Sequence, residues 1–394
     1  MLIEPYNFSK EHYEKYSNIK DDKESFEYDN IKQYNCTKLL GEGSYSSVYE
    51  VYNESDNKYY ALKICKEDDD VSKNEITILR KLGKHKNIIQ LNDSFQYKNK
   101  KNKTKHLCMI LDNLGCDLNV IKRLFKYDGN LADSDLESCS SNSNNSNLSN
   151  NEITKGLPLN LSKKIGYQIL DALKHMHDKN IIHTDLKLDN ILVINNLKDI
   201  KYNKDINIKL CDFGTSHHTT QKCNFNIGTV DYSAPECIIG LPYGKSMDIW
   251  SFGCILYELI TGQCLFDYTR YYYDADECSS GYTSSSGEDE NDKTQIEFLL
   301  LCMMKTILGS FPSKLFKRGK YYENYFDYKG RLRFTPKFIE EEEIINLLIN
   351  DFKFDNNIAS EINDFLLKSL CINPNNRYNS DQLLNDKWFI DKCE

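Results

Sequence analysis

Residues 183 to 190 read His, Thr, Asp, Leu, Lys, Leu, Asp, Asn. They follow the apolar pair Ile181 and Ile182 and run into Ile191, Leu192 and Val193, so buried flanks must hold the polar groups in a loop. Asp185 has the chemistry to accept a proton or orient a hydroxyl, Lys187 to neutralise a transferring phosphate, and Asn190 to bind a metal ion through its amide oxygen. The plainer reading is a turn with Asp and Asn caps. That reading leaves unexplained why a similar arrangement recurs at Asp212, Phe213 and Gly214, after another apolar strand, where a carboxylate suits Mg²⁺.

A second group of residues lies upstream. Gly41, Glu42 and Gly43 lead to Val48 between two strand-like segments, and glycines there let backbone N–H groups approach a polyphosphate. By itself a Gly-x-Gly hairpin is usually a plain turn. Lys63 raises its significance, because it follows Tyr60, Ala61 and Leu62 in a strand so apolar that an ammonium there is costly without an anion. Glu75, on the next amphipathic segment, is its natural partner, the alternative being a lysine that snorkels to solvent. Downstream stand Ala234, Pro235 and Glu236, then Asp248 to Gly253 at the head of an apolar helix, then Asn373, Pro374 and Arg377. Glu236 and Arg377 are candidates for a bracing ion pair.

The elements that must position these groups follow from pattern. Residues 38–40, 48–52, 59–65 and 106–111 read as strands, with a polar turn at 53–57. Residues 75–82, 161–177, 249–260 and 298–308 read as helices, and 191–194 and 208–211 as short strands. A β-rich part therefore precedes a helical part. Two stretches interrupt this order: 137–151, where twelve of fifteen residues are Ser or Asn, and an acidic insertion ending near Asp292. The run Glu340 to Glu343 is expected to open a helix.

The chain has 394 residues, 40% of them hydrophobic and 12% aromatic, which excludes disorder throughout. No apolar run reaches bilayer length, and the first thirty residues are polar and acidic, so an intracellular protein without a membrane span is expected. The 14 cysteines form no C-x-x-C pair, which argues against zinc and redox motifs. A net charge of -9 disfavours nucleic-acid binding and suits a basic protein partner.

Together and in this order, the motifs match the protein-kinase signature set. Residues 35 to 390 resemble a eukaryotic protein kinase of the CMGC group. The resemblance implies an α+β, bilobal fold: an N-terminal extension over 1–34, a small β-rich N-lobe over 35–111, and the hinge and helical C-lobe over 112–390. Flexible Ser/Asn-rich and acidic inserts fall at about 130–155 and 268–292. It implies ATP and Mg²⁺ as cofactors. Gly41, Glu42, Gly43, Val48, Ala61, Lys63, Asp112 and Leu114 would contact the nucleotide, with Leu111 as gatekeeper. Lys63 would pair with Glu75, Asp185 would be the catalytic base, Lys187 would stabilise the γ-phosphoryl group, and Asn190 and Asp212 would hold the metal. With all of these present, a pseudokinase scaffold is the weaker alternative.

Finer features are similar to SR-protein kinases, with LAMMER-type kinases next. Thr184 stands where most kinases have Arg, residues 156–170 look like the corresponding SR-protein kinase helix, and 106–115 look like their hinge strand. The implied partner is a basic, Arg/Ser-rich protein substrate, met by a monomer resident in cytoplasm or nucleus. Departures keep a different substrate open: Leu188 and Asp189 replace the family's Pro and Glu, Val230 and Ser233 replace two arginines, and the acidic docking positions align with Gln263, Leu299 and Thr306. Without an arginine at 184, phosphate on Thr215, Ser216, Thr219 or Thr220 lacks its usual anchor. Activity independent of such phosphorylation is expected.

Overall fold

The computed structural model describes residues 30–126 except 44, 67–69 and 99–103, residues 156–269 except 196–205 and 222–227, and residues 290–390 except 334–341. The Ser/Asn-rich stretch, almost all of the N-terminal extension and nearly all of the acidic insertion lie outside them. Two compact units divide the chain: the described parts of Met1–Asn150 with Leu188–His217, and of Asn151–Lys187 with His218–Glu394.

In the first unit, strand-forming segments rich in Tyr, Val, Ile and Leu build a six-stranded sheet. Its strands are β1 (Asn30–Ile31), β2 (Tyr34–Glu42), β3 (Ser46–Asn53), β4 (Lys58–Cys65), β5 (Leu91–Lys98) and β6 (Lys105–Asp112), in the order β1-β2-β3-β4-β6-β5. Every pairing is antiparallel. Period-two alternation then separates two faces. Leu62 and Ile64 join Val51, Cys108, Ile110, Ile31 and Tyr34 in one buried cluster. The opposite face of β4 carries Ala61 and Lys63, which sit across from Glu50 and Val48 on β3 and from Leu111 and Met109 on β6. Register alone therefore puts Val48, Ala61, Lys63 and Leu111 on one face.

Helix α1 (Asp70–Leu82) presents Glu75, Ile76, Ile78, Leu79 and Leu82 as its buried side. It starts five residues before the expected Glu75. Strand β5 is weakly announced: Phe95 and Tyr97 alternate with Gln96 and Lys98, but Asn92, Asp93 and Ser94 break the pattern, and the strand lies at the sheet edge, half-buried. Helix α2 (Leu118–Lys126) follows β6. The hairpin of β7 (Ile191–Val193) and β8 (Ile208–Leu210) completes the unit, joined to it where Ile89 N–H donates to Leu210 O at 2.9 Å.

The second unit is helical. Helix α3 (Leu159–Asp178) is amphipathic, and α4 (Ser246–Thr261) is buried on all sides from Met247 to Thr261, as its predominantly apolar sequence favours, with Asp248, Ser251 and Glu258 buried among the apolar residues. Two glycines allow close helix approach. A methyl at Gly166 would stand 3.3 Å from Leu256, and one at Gly253 would come within 2.6 Å of Ser369 on α6 (Asn356–Ser369). Helix α5 (Glu290–Leu308) precedes α6, and α7 (Ser380–Leu384) follows it. A shorter helix, Ile344–Asn350, begins just after the acidic run and has no acid in its first turn. Glu343 is the N-cap of that helix, its carbonyl accepting from Asn346 N–H at 3.0 Å and Leu347 N–H at 3.1 Å, so the acidic run ends where the helix opens; residues 340 and 341 lie outside the described residues. No helix among the described residues is long and apolar enough to cross a membrane.

Candidate active site

Lys63 and Glu75 meet at 2.7 Å, and Asp212 lies 4.0 Å from the same ammonium. Burial works against the charged lysine, but the Glu75 and Asp212 carboxylates outweigh it and hold the ammonium above its ordinary value. Lys63 is thus paired and does not snorkel. Asp212 adopts the left-handed backbone (φ 62°), which Asp tolerates better than most residues. Its side chain remains 53% exposed, open to a cation. Asn190 closes the short 3₁₀ turn Leu188–Asn190, and its carbonyl accepts from Cys211 N–H at 3.0 Å, which sets it beside the Asp212 segment. Leu188, which stands where the family has proline, is fully buried in that turn.

The Asp112 carboxylate accepts from Lys209 Nζ at 2.7 Å and from Gln90 N–H at 3.0 Å, and the Asp112 N–H donates back to Gln90 O at 3.3 Å, so this residue ties β6 to the segment before β5. Asn113 donates to Glu50 at 3.0 Å. At the loop tip, Gly43 N–H donates to Ser46 O at 2.8 Å, and Glu42 reaches Lys66 at 3.2 Å. Neither Gly41 nor Gly43 has a positive φ; a side chain at Gly41 would meet nothing within 4 Å. The tip is open, not crowded.

In the second unit, Lys187 lies 3.0 Å from Asp185, and both hold Thr229. Thr229 donates to Asp185 Oδ1 at 2.8 Å and accepts from Lys187 Nζ at 3.0 Å. Burial alone would raise the Asp185 carboxyl, but the Lys187 and Thr229 hydrogen bonds hold it below its ordinary value. It stays ionised, able to accept a proton. Gly228 makes Thr229's position possible: its φ is 86°, and a side chain there would come within 2.9 Å of Thr184 O.

The loop that carries Asp185 is held from below by Asp248. That buried carboxylate accepts from Thr184 N–H at 3.0 Å and from His183 N–H at 2.9 Å, and meets His177 Nε2 at 2.9 Å. These contacts keep Asp248 ionised despite complete burial. They also compensate Thr184, a β-branched residue at φ 75°. Glu236 and Arg377 form a two-pronged pair, Nη2 to Oε2 at 2.7 Å, with both side chains fully buried.

Of the residues expected at the site, Lys63, Glu75 and Asp212 come together in the first unit, with Asn190 beside the Asp212 segment, and Asp185 and Lys187 come together in the second. Thr229 is not among the expected site residues, and Asp248, expected at the head of a helix, has an unexpected role in holding the backbone of His183 and Thr184. The local signal for Thr229 is a hydroxyl one residue after Gly228. Asp248 lies 64 residues from Thr184, and nothing local ties them.

The protein kinase domain family matches residues 34–389. The chain belongs to the protein kinase family. It is 27% identical over 323 residues to serine/threonine-protein kinase AFC2 of Arabidopsis thaliana, covering 76% of this chain and 62% of that one. Human dual specificity tyrosine-phosphorylation-regulated kinase 3 is 31% identical over 310 residues, covering 77% of this chain and 42% of that kinase. Serine/threonine-protein kinase ppk5 of Schizosaccharomyces pombe is 28% identical over 373 residues, covering 92% and 36%. These relatives support the CMGC group. The chain spans less than two thirds of the length of the first curated relatives it matches.

Proposed function

We propose that this chain is a serine/threonine protein kinase that transfers the γ-phosphoryl group of ATP to protein hydroxyls. The observation that carries the reading is the ionised Asp185 carboxylate, already accepting a hydroxyl hydrogen from Thr229 with the Lys187 ammonium beside it. A substrate serine needs the same acceptor, and a transferring phosphate needs the same cation. In the first unit, the face bearing Val48, Ala61 and Leu111 offers an apolar bed for a purine, and Lys63 offers a cation to its phosphates.

The donor set fits Mg²⁺. Among the described residues no group of three or more His, Cys, Asp or Glu forms a protein cage, whereas Mg²⁺ takes one or two carboxylates and completes its shell with water and phosphate oxygens. The half-exposed Asp212 carboxylate and the Asn190 amide would hold it. When bound, Mg²⁺ neutralises charge on the phosphate oxygens. Lys63 then orients the nucleotide, Glu75 keeps Lys63 in place, Asp185 orients and deprotonates the hydroxyl, and Lys187 offsets charge on the group in transit.

The substrate is proposed to be a basic, Arg/Ser-rich protein of the splicing-factor kind, acted on by a monomer in cytoplasm or nucleus. Support comes from the net charge of -9 and from the partly exposed neighbouring carboxylates of Asp231 and Asp267. A different basic or acidic substrate is favoured by Ser233 and by Leu299, which is buried and so offers no docking charge. A peptide-array phosphorylation screen separates these: strong use of Arg-Ser repeats supports the first reading, and indifference to them supports the second.

A further inference from the structure

Asn74 lies one residue before Glu75 on α1, and its side-chain amide donates to two carbonyls of the segment after Asp212: Gly214 O at 3.1 Å and Ser216 O at 2.7 Å. Both amide hydrogens are used, and both acceptors belong to the backbone, so the contact reads the path of the segment and not its side chains. The approach is close. A methyl on Gly214 would stand 3.0 Å from Val71 of the same helix, and Ser216 is fully buried.

Consecutive helical residues move together. A rotation or outward shift of α1 that broke the Asn74 bonds would carry Glu75 away from Lys63; displacement of residues 214–216 would release the helix in turn. The ion pair and the segment are therefore coupled through consecutive residues of α1. The common alternative is a phosphate on the activation segment gripped by an arginine. Here the residue at that position is Thr184, 2% exposed, with its N–H committed to Asp248.

We propose that Asn74 is a positioning residue, a latch that holds the segment after Asp212 against α1 and so keeps Lys63 and Glu75 paired without phosphorylation. The proposal rests on the kinase reading and adds its regulation. Asn74→Asp keeps the shape but replaces two donors with acceptors; Asn74→Ser shortens the side chain without adding charge. Each is expected to lower kcat by roughly 10- to 100-fold, the loss of about two hydrogen bonds, with KM for the peptide unchanged. Asn74→Gln, which keeps the donors, should recover part of the rate.

Hydrogen exchange read by mass spectrometry supplies an independent measure. Both Asn74→Asp, which lacks donors, and Asn74→Ser, whose hydroxyl is too short to span both carbonyls, should speed exchange in residues 70–82 and 213–217 together, leaving α4 protected. A merely structural asparagine would lower stability without moving kcat per folded molecule or coupling the two segments. Wild-type kcat, or loosening of α1 alone, would overturn the latch. If the wild-type chain transfers no phosphate to any substrate, the kinase reading fails instead, and coupled exchange in wild type and in Asn74→Ser still decides the latch.

Discussion

The hydroxyl of Thr229 donates to the carboxylate of Asp185 at 2.8 Å while accepting from Lys187 at 3.0 Å. Thr229 thereby fixes the rotamer of the proposed base and the distance to its cation. Thr229→Val keeps the shape and removes the donor, so kcat should fall by roughly tenfold with little change in nucleotide affinity. Thr229→Ser should stay near wild type. Steady-state kinetics on one serine peptide checks both.

Glu236 and Arg377 are both fully buried, so removing one partner leaves an uncompensated charge. Arg377→Met should destabilise the chain by about 3–5 kcal/mol. Urea unfolding followed by circular dichroism measures it; a midpoint equal to wild type would show that the pair contributes nothing.

Asp231 predicts a pH dependence. Burial first, then the Asp267 and Glu258 carboxylates, push its carboxyl from 3.8 up to about 6. A carboxyl raised in the folded state contributes stability that is present at low pH and lost as pH rises through the folded value. Wild type therefore carries a penalty at neutral pH. Asp231→Asn should unfold at higher urea than wild type at about pH 7, and the gap should shrink as pH is lowered toward about 5.

Thr184 predicts indifference to phosphatase. Its side chain is buried and its N–H bonds Asp248, so no cation from this position meets a phosphate on the segment. Bacterially expressed chain treated with phosphatase should retain most of its kcat. Near-complete loss would show that a phosphate anchor lies elsewhere.

The residues that announce themselves in the sequence are those whose chemistry conflicts with their neighbours. Lys63 is conspicuous because an ammonium in an apolar strand demands an anion, and Glu75 at helical spacing supplies one. Asp185 and Asp212 stand out between apolar flanks. Strands β2, β3, β4 and β6 were legible from alternation and β-branched or aromatic content, and α4 from its predominantly apolar run. Strand β5 was not, because an edge strand tolerates Asn, Asp and Gln. Asp248 reads as an ordinary acid in the first turn of a helix; only the fold brings it to His177, His183 and Thr184. Asn74 likewise looks like any half-exposed helical residue until the backbone of 214–216 lies beside it.

The most direct test of the phosphoryl-transfer account is single-turnover transfer from ATP with Mg²⁺ by wild type and Asp185→Asn, with nucleotide affinity measured in parallel. The account predicts transfer by wild type, a loss of about a hundredfold or more in the variant, and affinities equal within about threefold. Equal transfer by both proteins, or none by wild type on a broad peptide array, would contradict it.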